Sequence, residues 1–138
     1  SVFKNWKKCK RAAERADAVC EQLGLTSLAD QTAANLSYGD VALLEIGLAL
    51  ATDPKLLLLD EPICGMGPAE TEQTVAKIQE ISKHINIIII EHDIEVVFKI
   101  ADEITVMANG AVLAQGKPKE IAENPEVRTA YLGDDDDD

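Results

Sequence analysis

Leu56-Leu57-Leu58-Leu59 runs directly into Asp60-Glu61-Pro62, and Ile87-Ile88-Ile89-Ile90 runs into Glu91-His92-Asp93. Each aliphatic run delivers ionisable groups at its end. Adjacent carboxylates such as Asp60 and Glu61 suggest a division of labour: one lies near a Mg²⁺ ion and the other polarises a water. Glu91 and the imidazole of His92 are a second such delivery. A third chemically competent segment is Ser37-Tyr38-Gly39-Asp40. It has a hydroxyl at a helix N-cap and an acid three residues later. Helix N-termini bind phosphate through free N–H groups and the helix dipole, and Gly39 lets a backbone approach a ligand closely. Taken alone, that serine pattern is more often only a cap.

The elements that must hold these groups follow from patterning. Apolar runs without alternation suit strands covered on both faces, as in a parallel sheet. Pro68 opens a helix that continues to about Lys83, between the two runs. Strand, helix, strand in that order is a βαβ crossover, so the two strands are expected to be parallel. Asp60, Glu61, Glu91 and His92 are then delivered to one edge of the sheet, the carboxyl edge where open α/β sheets bind ligands. The bland alternative is that each is merely a polar strand end.

Around this unit, Val2, Phe3, Trp6, Cys9, Ala13, Ala16, Cys20 and Leu23 form the stripe of an amphipathic helix ended by Gly24. Residues 25–35 read as a connection. A second helix is expected from about Ser37 to Ala51, closed by Asp53-Pro54. A short helix over 94–101 precedes strands at 104–108 and 111–115, which flank the type I′ hairpin signal Asn109-Gly110. A last helix covers 119–123 and resumes after Pro125.

With 138 residues, 46% of them hydrophobic, the chain can bury a real core. A formal charge of −12 argues against a nucleic-acid binder, although the run at 134–138 is a solvated tail. Basic residues gather near the start at Lys4, Lys7, Lys8, Lys10, Arg11 and Arg15, which reads first as a solvated helix face. Cys9 and Cys20 would lie about 16 Å apart on one helix, too far for a disulfide, so reduced thiols and a cytosolic address are expected. No apolar run approaches the roughly 20 residues of a membrane span.

The order Leu36-Ser37-Tyr38-Gly39-Asp40, then 56–62, then Glu91-His92-Asp93 resembles the second half of an ATP-binding cassette (ABC) ATPase. The family's signature motif, usually LSGGQ, stands first, followed by Walker B, the D-loop and the switch histidine. The match runs along residues 33–133, including the intervening helix at 44–51. Within the family, Ser37-Tyr38-Gly39-Asp40, residues 65–70, Asn124-Pro125-Glu126-Val127 and Tyr131-Leu132-Gly133 resemble ATPases of branched-chain amino-acid importers.

The resemblance implies an α/β fold, a partial P-loop NTPase-like ATPase domain with parallel strands, flanking helices and a C-terminal β-hairpin. It implies residues 1–52 as the end of a helical subdomain with the signature, 53–133 as the C-terminal part of the ATPase core, and 134–138 as the tail. Asp60 would hold Mg²⁺ through water, Glu61 would be the general base, and His92 would sense the γ-phosphate. Ser37, Gly39 and Asp40 would meet the ATP of a second ATPase subunit in a head-to-tail dimer, and Gly65, Met66 and Gly67 would form the D-loop. The cofactors implied are ATP and Mg²⁺. Transporter membrane subunits would be further partners, placing the chain on the cytoplasmic face of the plasma membrane.

The sequence departs from the family pattern at several points. Tyr38 replaces the first signature glycine, Asp40 the glutamine, Val41-Ala42 more polar residues, and Gly67 an acidic or amide D-loop residue. No G-x-x-x-x-G-K-[ST] phosphate loop stands among the 138 residues. The chain therefore reads as a C-terminal portion that binds ATP weakly by itself and lacks turnover. Elements that cover the apolar strands in the family precede the signature, so self-association of the isolated chain is also expected. Two other readings compete: a non-catalytic interaction module, and a DNA-repair or chromosome ATPase head. The acidic balance and the absence of coiled-coil heptads disfavour the latter.

Overall fold

The computed structural model describes residues 10–132. Val2, Phe3, Trp6 and Cys9 of the expected apolar stripe, the basic residues Lys4, Lys7 and Lys8, Gly133 and the acidic tail lie outside the described residues. The chain divides into two compact units, the first ending at Glu91 and the second beginning at His92.

The first unit starts with α1, Lys10–Leu23, which stops at Gly24, where φ is +77°. Glycine takes that conformation without a Cβ penalty. Of the expected stripe, Leu23 is buried and Ala13 and Cys20 are partly buried, whereas Ala16 is exposed and Val19 takes a core position instead. Single 3₁₀ turns at Thr26–Leu28 and Ala33–Asn35 lead to α2, Tyr38–Leu50, capped by Ser37. Gly47 lets the two helices approach closely, since a Cβ there would stand 2.8 Å from Leu23 Cδ1 and 3.2 Å from Val19 Cγ1. Arg15 donates to the Leu50 carbonyl at 2.7 Å, satisfying an orphan acceptor at the end of α2.

Next come β1, Leu56–Asp60, then α3, Pro68–Ser82, then β2, Asn86–Ile90. The strands are parallel, with Leu57 opposite Ile87, Leu58 opposite Ile88 and Asp60 opposite Ile90. This is the crossover that the apolar runs predict. One face of the pair packs on the helices: Leu57 and Leu59, with Ile87 and Ile89, join Leu43, Ile46, Leu50, Ile78 and Ile81 in the core. Complete burial of such a side chain, as for Leu57 or Ile46, contributes about 1.5–3 kcal/mol. The expectation of cover on both faces is corrected, because Leu58, Ile88 and Ile90 on the other face are 67, 53 and 62% exposed. Unalternated hydrophobicity signals two apolar faces, and the described residues bury only one.

The second unit holds α4, Ile94–Ile100, the strands β3, Ile104–Ala108, and β4, Ala111–Gly116, then α5, Pro118–Ala122, and α6, Pro125–Val127. A single π turn follows over Arg128–Leu132. Asn109 and Gly110 both have positive φ, 52° and 78°, as the type I′ reading requires. The hairpin is antiparallel with one irregularity between Val106 and Met107. Ile104, Ile121 and Val127 form its small core. The Tyr131 hydroxyl donates to the Met107 carbonyl.

Candidate functional site

Asp60 is the last residue of β1 and is exposed. The chain then turns sharply. Glu61 has φ of +46°, a left-handed conformation that costs a residue with a Cβ about 1–2 kcal/mol. Backbone bonds hold it there: the Glu61 N–H donates to the Ile90 carbonyl at 2.9 Å, and the Cys64 N–H donates to the Glu61 carbonyl at 3.1 Å. Between them Pro62 has no N–H to satisfy. The Ile63 N–H donates to Glu91 Oε1 at 3.3 Å. Asp60, Glu61 and Glu91 thus meet at the carboxyl edge of the parallel pair, as the βαβ reading expects.

The loop continues through Gly65, whose φ is +77°, and Met66, to Gly67, the N-cap of α3. The buried Thr74 hydroxyl donates to Met66 Sδ at 3.4 Å and tethers the loop to α3.

At the start of α2 the Asp40 N–H donates to Ser37 Oγ at 3.2 Å, and the Ser37 hydroxyl reaches Asp40 Oδ2 at 2.9 Å. The cap is therefore real, and the Ser37 side chain stands at a helix N-terminus. Gly39 is buried there, with Glu70 Cβ 3.4 Å from the position its own Cβ would take. Glu70 belongs to the first turn of α3 and accepts from the Gly67 N–H at 3.3 Å. That bond foremost, then the Ser37 hydroxyl and the Gly39 N–H, hold the Glu70 carboxyl below the usual carboxylate range. The N-termini of α2 and α3 are joined through this one side chain.

Sequence reading did not single out Glu70, nor the bond from Ile63 to Glu91. A signal for the first exists: Glu70 is three residues after Gly67, half of a capping box. None exists for the second, since it depends on strand pairing. His92 is peptide-bonded to Glu91 and opens the second unit, where it is exposed. Asp93 beside it caps α4, accepting from the Val96 N–H at 3.1 Å.

Mg²⁺ keeps several waters and is held by one or two carboxylates together with substrate phosphates. An exposed Asp60 beside Glu61 suits that donor set. Among the described residues no group of three or more His, Cys, Asp or Glu side chains forms an all-protein cage.

Comparison with known proteins bears on the family and the fold. Residues 1–64 match the ABC transporter family model, and residues 111–137 match that of the branched-chain amino acid ATP-binding cassette transporter. The high-affinity branched-chain amino acid transport ATP-binding protein LivG of Salmonella typhimurium is 44% identical over 125 residues, covering 89% of this chain and 49% of LivG. BraF of Pseudomonas aeruginosa, of the same description, is 41% identical over 127 residues, covering 91% of this chain and 50% of BraF. The crystal structure of the ATP-binding cassette MJ1267 in its ADP conformation superimposes with a TM-score of 0.81 at 36% identity, over 90% of this chain and 51% of MJ1267. The chain spans about half the length of the curated relatives it matches. On sequence and fold together, the chain belongs to the ABC transporter family of ATP-binding proteins.

Proposed function

We propose that these residues are the C-terminal portion of the ATP-hydrolysing subunit of an ABC transporter for branched-chain or related amino acids. The observation that carries this reading is the Asp60-Glu61 turn at the carboxyl end of β1, in register with the end of β2. LivG and BraF, by their names, serve branched-chain amino-acid transport, which supports the substrate class. Residues 1–52 are assigned to a helical subdomain bearing the signature and 53–133 to the ATPase core.

In this reading Glu61 polarises the attacking water, and Asp60 orients Mg²⁺ through water. Mg²⁺, when bound, neutralises charge on the phosphates. Ser37 and Gly39 offer a hydroxyl and helix N-terminal N–H groups to the γ-phosphate of ATP on a second subunit, with Asp40 fixing the serine rotamer. His92 meets the γ-phosphate, and Gly65, Met66 and Gly67 form the loop facing the second subunit. Phosphoryl transfer depends on such positioning and charge stabilisation. Membrane subunits would dock the protein at the cytoplasmic face. Among the described residues no helix is long and apolar enough to cross a membrane.

The test supplies the phosphate loop. The 138-residue chain alone should show no steady ATPase activity. Fused to the phosphate-loop half of a LivG relative, it should hydrolyse ATP, and Glu61→Gln should lower kcat about 10²–10⁴-fold. Turnover by the lone chain that disappears with Glu61→Gln, or no turnover in the fusion, would sink the proposal. A second reading, a non-catalytic docking module, is favoured by the bare face of Leu58, Ile88 and Ile90. Tight binding to a partner subunit by a Glu61→Gln fusion without turnover in either form would support it.

A further inference from the structure

Glu61 sits in an unusual backbone conformation, and the turn that holds it has few backbone donors with which to hold itself together. Pro62 contributes none. The Glu61 and Cys64 N–H groups are used within the backbone, to the Ile90 and Glu61 carbonyls. The remaining donor before Gly65 is the Ile63 N–H, and it has a side-chain partner, Glu91 Oε1 at 3.3 Å. Ile63 is itself only 8% exposed. The bond is part-buried, and a donor left without its acceptor in such a place is costly. Glu91 follows directly on Ile90, whose carbonyl takes the Glu61 N–H, so one dipeptide at the end of β2 grips both sides of Pro62.

We propose that Glu91 is a positioning residue for Glu61: by accepting from the Ile63 N–H it locks the 60–64 turn and keeps Glu61 in its left-handed conformation. Its catalytic consequence rests on the general-base reading of Glu61, whereas the lock itself does not. Acceptor geometry, rather than charge, is what the role requires. Glutamine at position 91 keeps the oxygen, whereas leucine fills the space without one.

Two measurements test this. In the 138-residue chain, amide hydrogen exchange at Ile63 should accelerate about tenfold or more in Glu91→Leu. It should stay within about threefold of the parent in Glu91→Gln, with the α3 amide of Val75 unchanged in both as a check on global stability. In the active fusion, Glu91→Leu should lower kcat about 10–100-fold at little-changed KM, and Glu91→Gln should restore it. Unchanged Ile63 exchange in Glu91→Leu overturns the lock. Unchanged kcat there, or a Glu91→Gln variant as slow as Glu91→Leu, overturns the catalytic role. A parent fusion without turnover counts against the ATPase reading alone, and the exchange comparison then decides Glu91.

Discussion

Glu70 illustrates how much a single half-buried carboxylate can organise. Its partners are the Gly67 N–H, the Ser37 hydroxyl and the Gly39 N–H, all of which favour the ionised form. The folded chain therefore binds the Glu70 proton less readily than the unfolded chain. The stabilisation is present above the ordinary glutamate value and is lost as pH falls through the lowered folded one. Asp40 shares the Ser37 hydroxyl and is the other carboxylate beside it. A carboxyl-detected NMR titration should give Glu70 a midpoint below about 4.3, the ordinary glutamate value. Ser37→Ala should move that midpoint upward, and a midpoint at or above the ordinary value would refute the contact. The sequence made Ser37, Gly39, Asp60 and Glu61 legible because their spacing follows apolar runs and a cap. Glu70 lay hidden, since its role arises where two helices separated by a strand bring their N-termini together.

At the level of elements, α1 and α2 meet through an absence of side chain. A Cβ on Gly47 would stand 2.8 Å from Leu23 Cδ1, inside any real contact distance, and the opposing leucine is itself 1% exposed. Gly47→Ala gains helix propensity but overpacks this seam, which should destabilise the chain by about 1–3 kcal/mol. Urea unfolding with an unchanged slope and a lower midpoint would report it. Stabilisation instead would mean that Leu23 moves aside freely. Helix and strand positions were largely readable because caps and breakers are local: Ser37 caps α2, Pro68 starts α3, Gly24 ends α1, and Asn109-Gly110 turns the hairpin. The inward face of α1 was readable through Ala13, Cys20 and Leu23, but not at every position. Alanine scores as apolar at Ala16 but offers little area to bury, and Val19 took the core position.

At the scale of the molecule, a bare sheet face stands out among the described residues. Leu56, Leu58, Ile88 and Ile90 are 47, 67, 53 and 62% exposed, and paired register puts them on one side. Such a patch, beside strand edges that no other strand among the described residues pairs, favours association with a second surface. Light scattering over a dilution series should show mass above the monomer at about 100 µM, a level that reveals interfaces with dissociation constants below about 1 mM. Leu58→Lys with Ile88→Lys should return the chain to monomer. A strictly monomeric parent at that concentration would contradict the expectation. The apolar runs alone read as covered on both faces, because such a run does not say which segment supplies the second layer, whereas the resemblance already implied that one layer precedes the signature.

The pairing of leucines against isoleucines also leaves the sheet almost indifferent to sliding. Most half-buried strands are fixed because a slip of one residue turns their apolar side outward. Here leucine would face isoleucine again after a step of one or two, with Leu57, Leu58 and Leu59 set against Ile87, Ile88 and Ile89 in the observed alignment. Side-chain chemistry alone does not choose among these alignments. The choice is made at the strand ends, where the Glu61 N–H finds the Ile90 carbonyl and the Ile63 N–H finds the Glu91 carboxylate. The turn that carries the proposed chemistry is thus also the stop that tells two greasy strands where to halt.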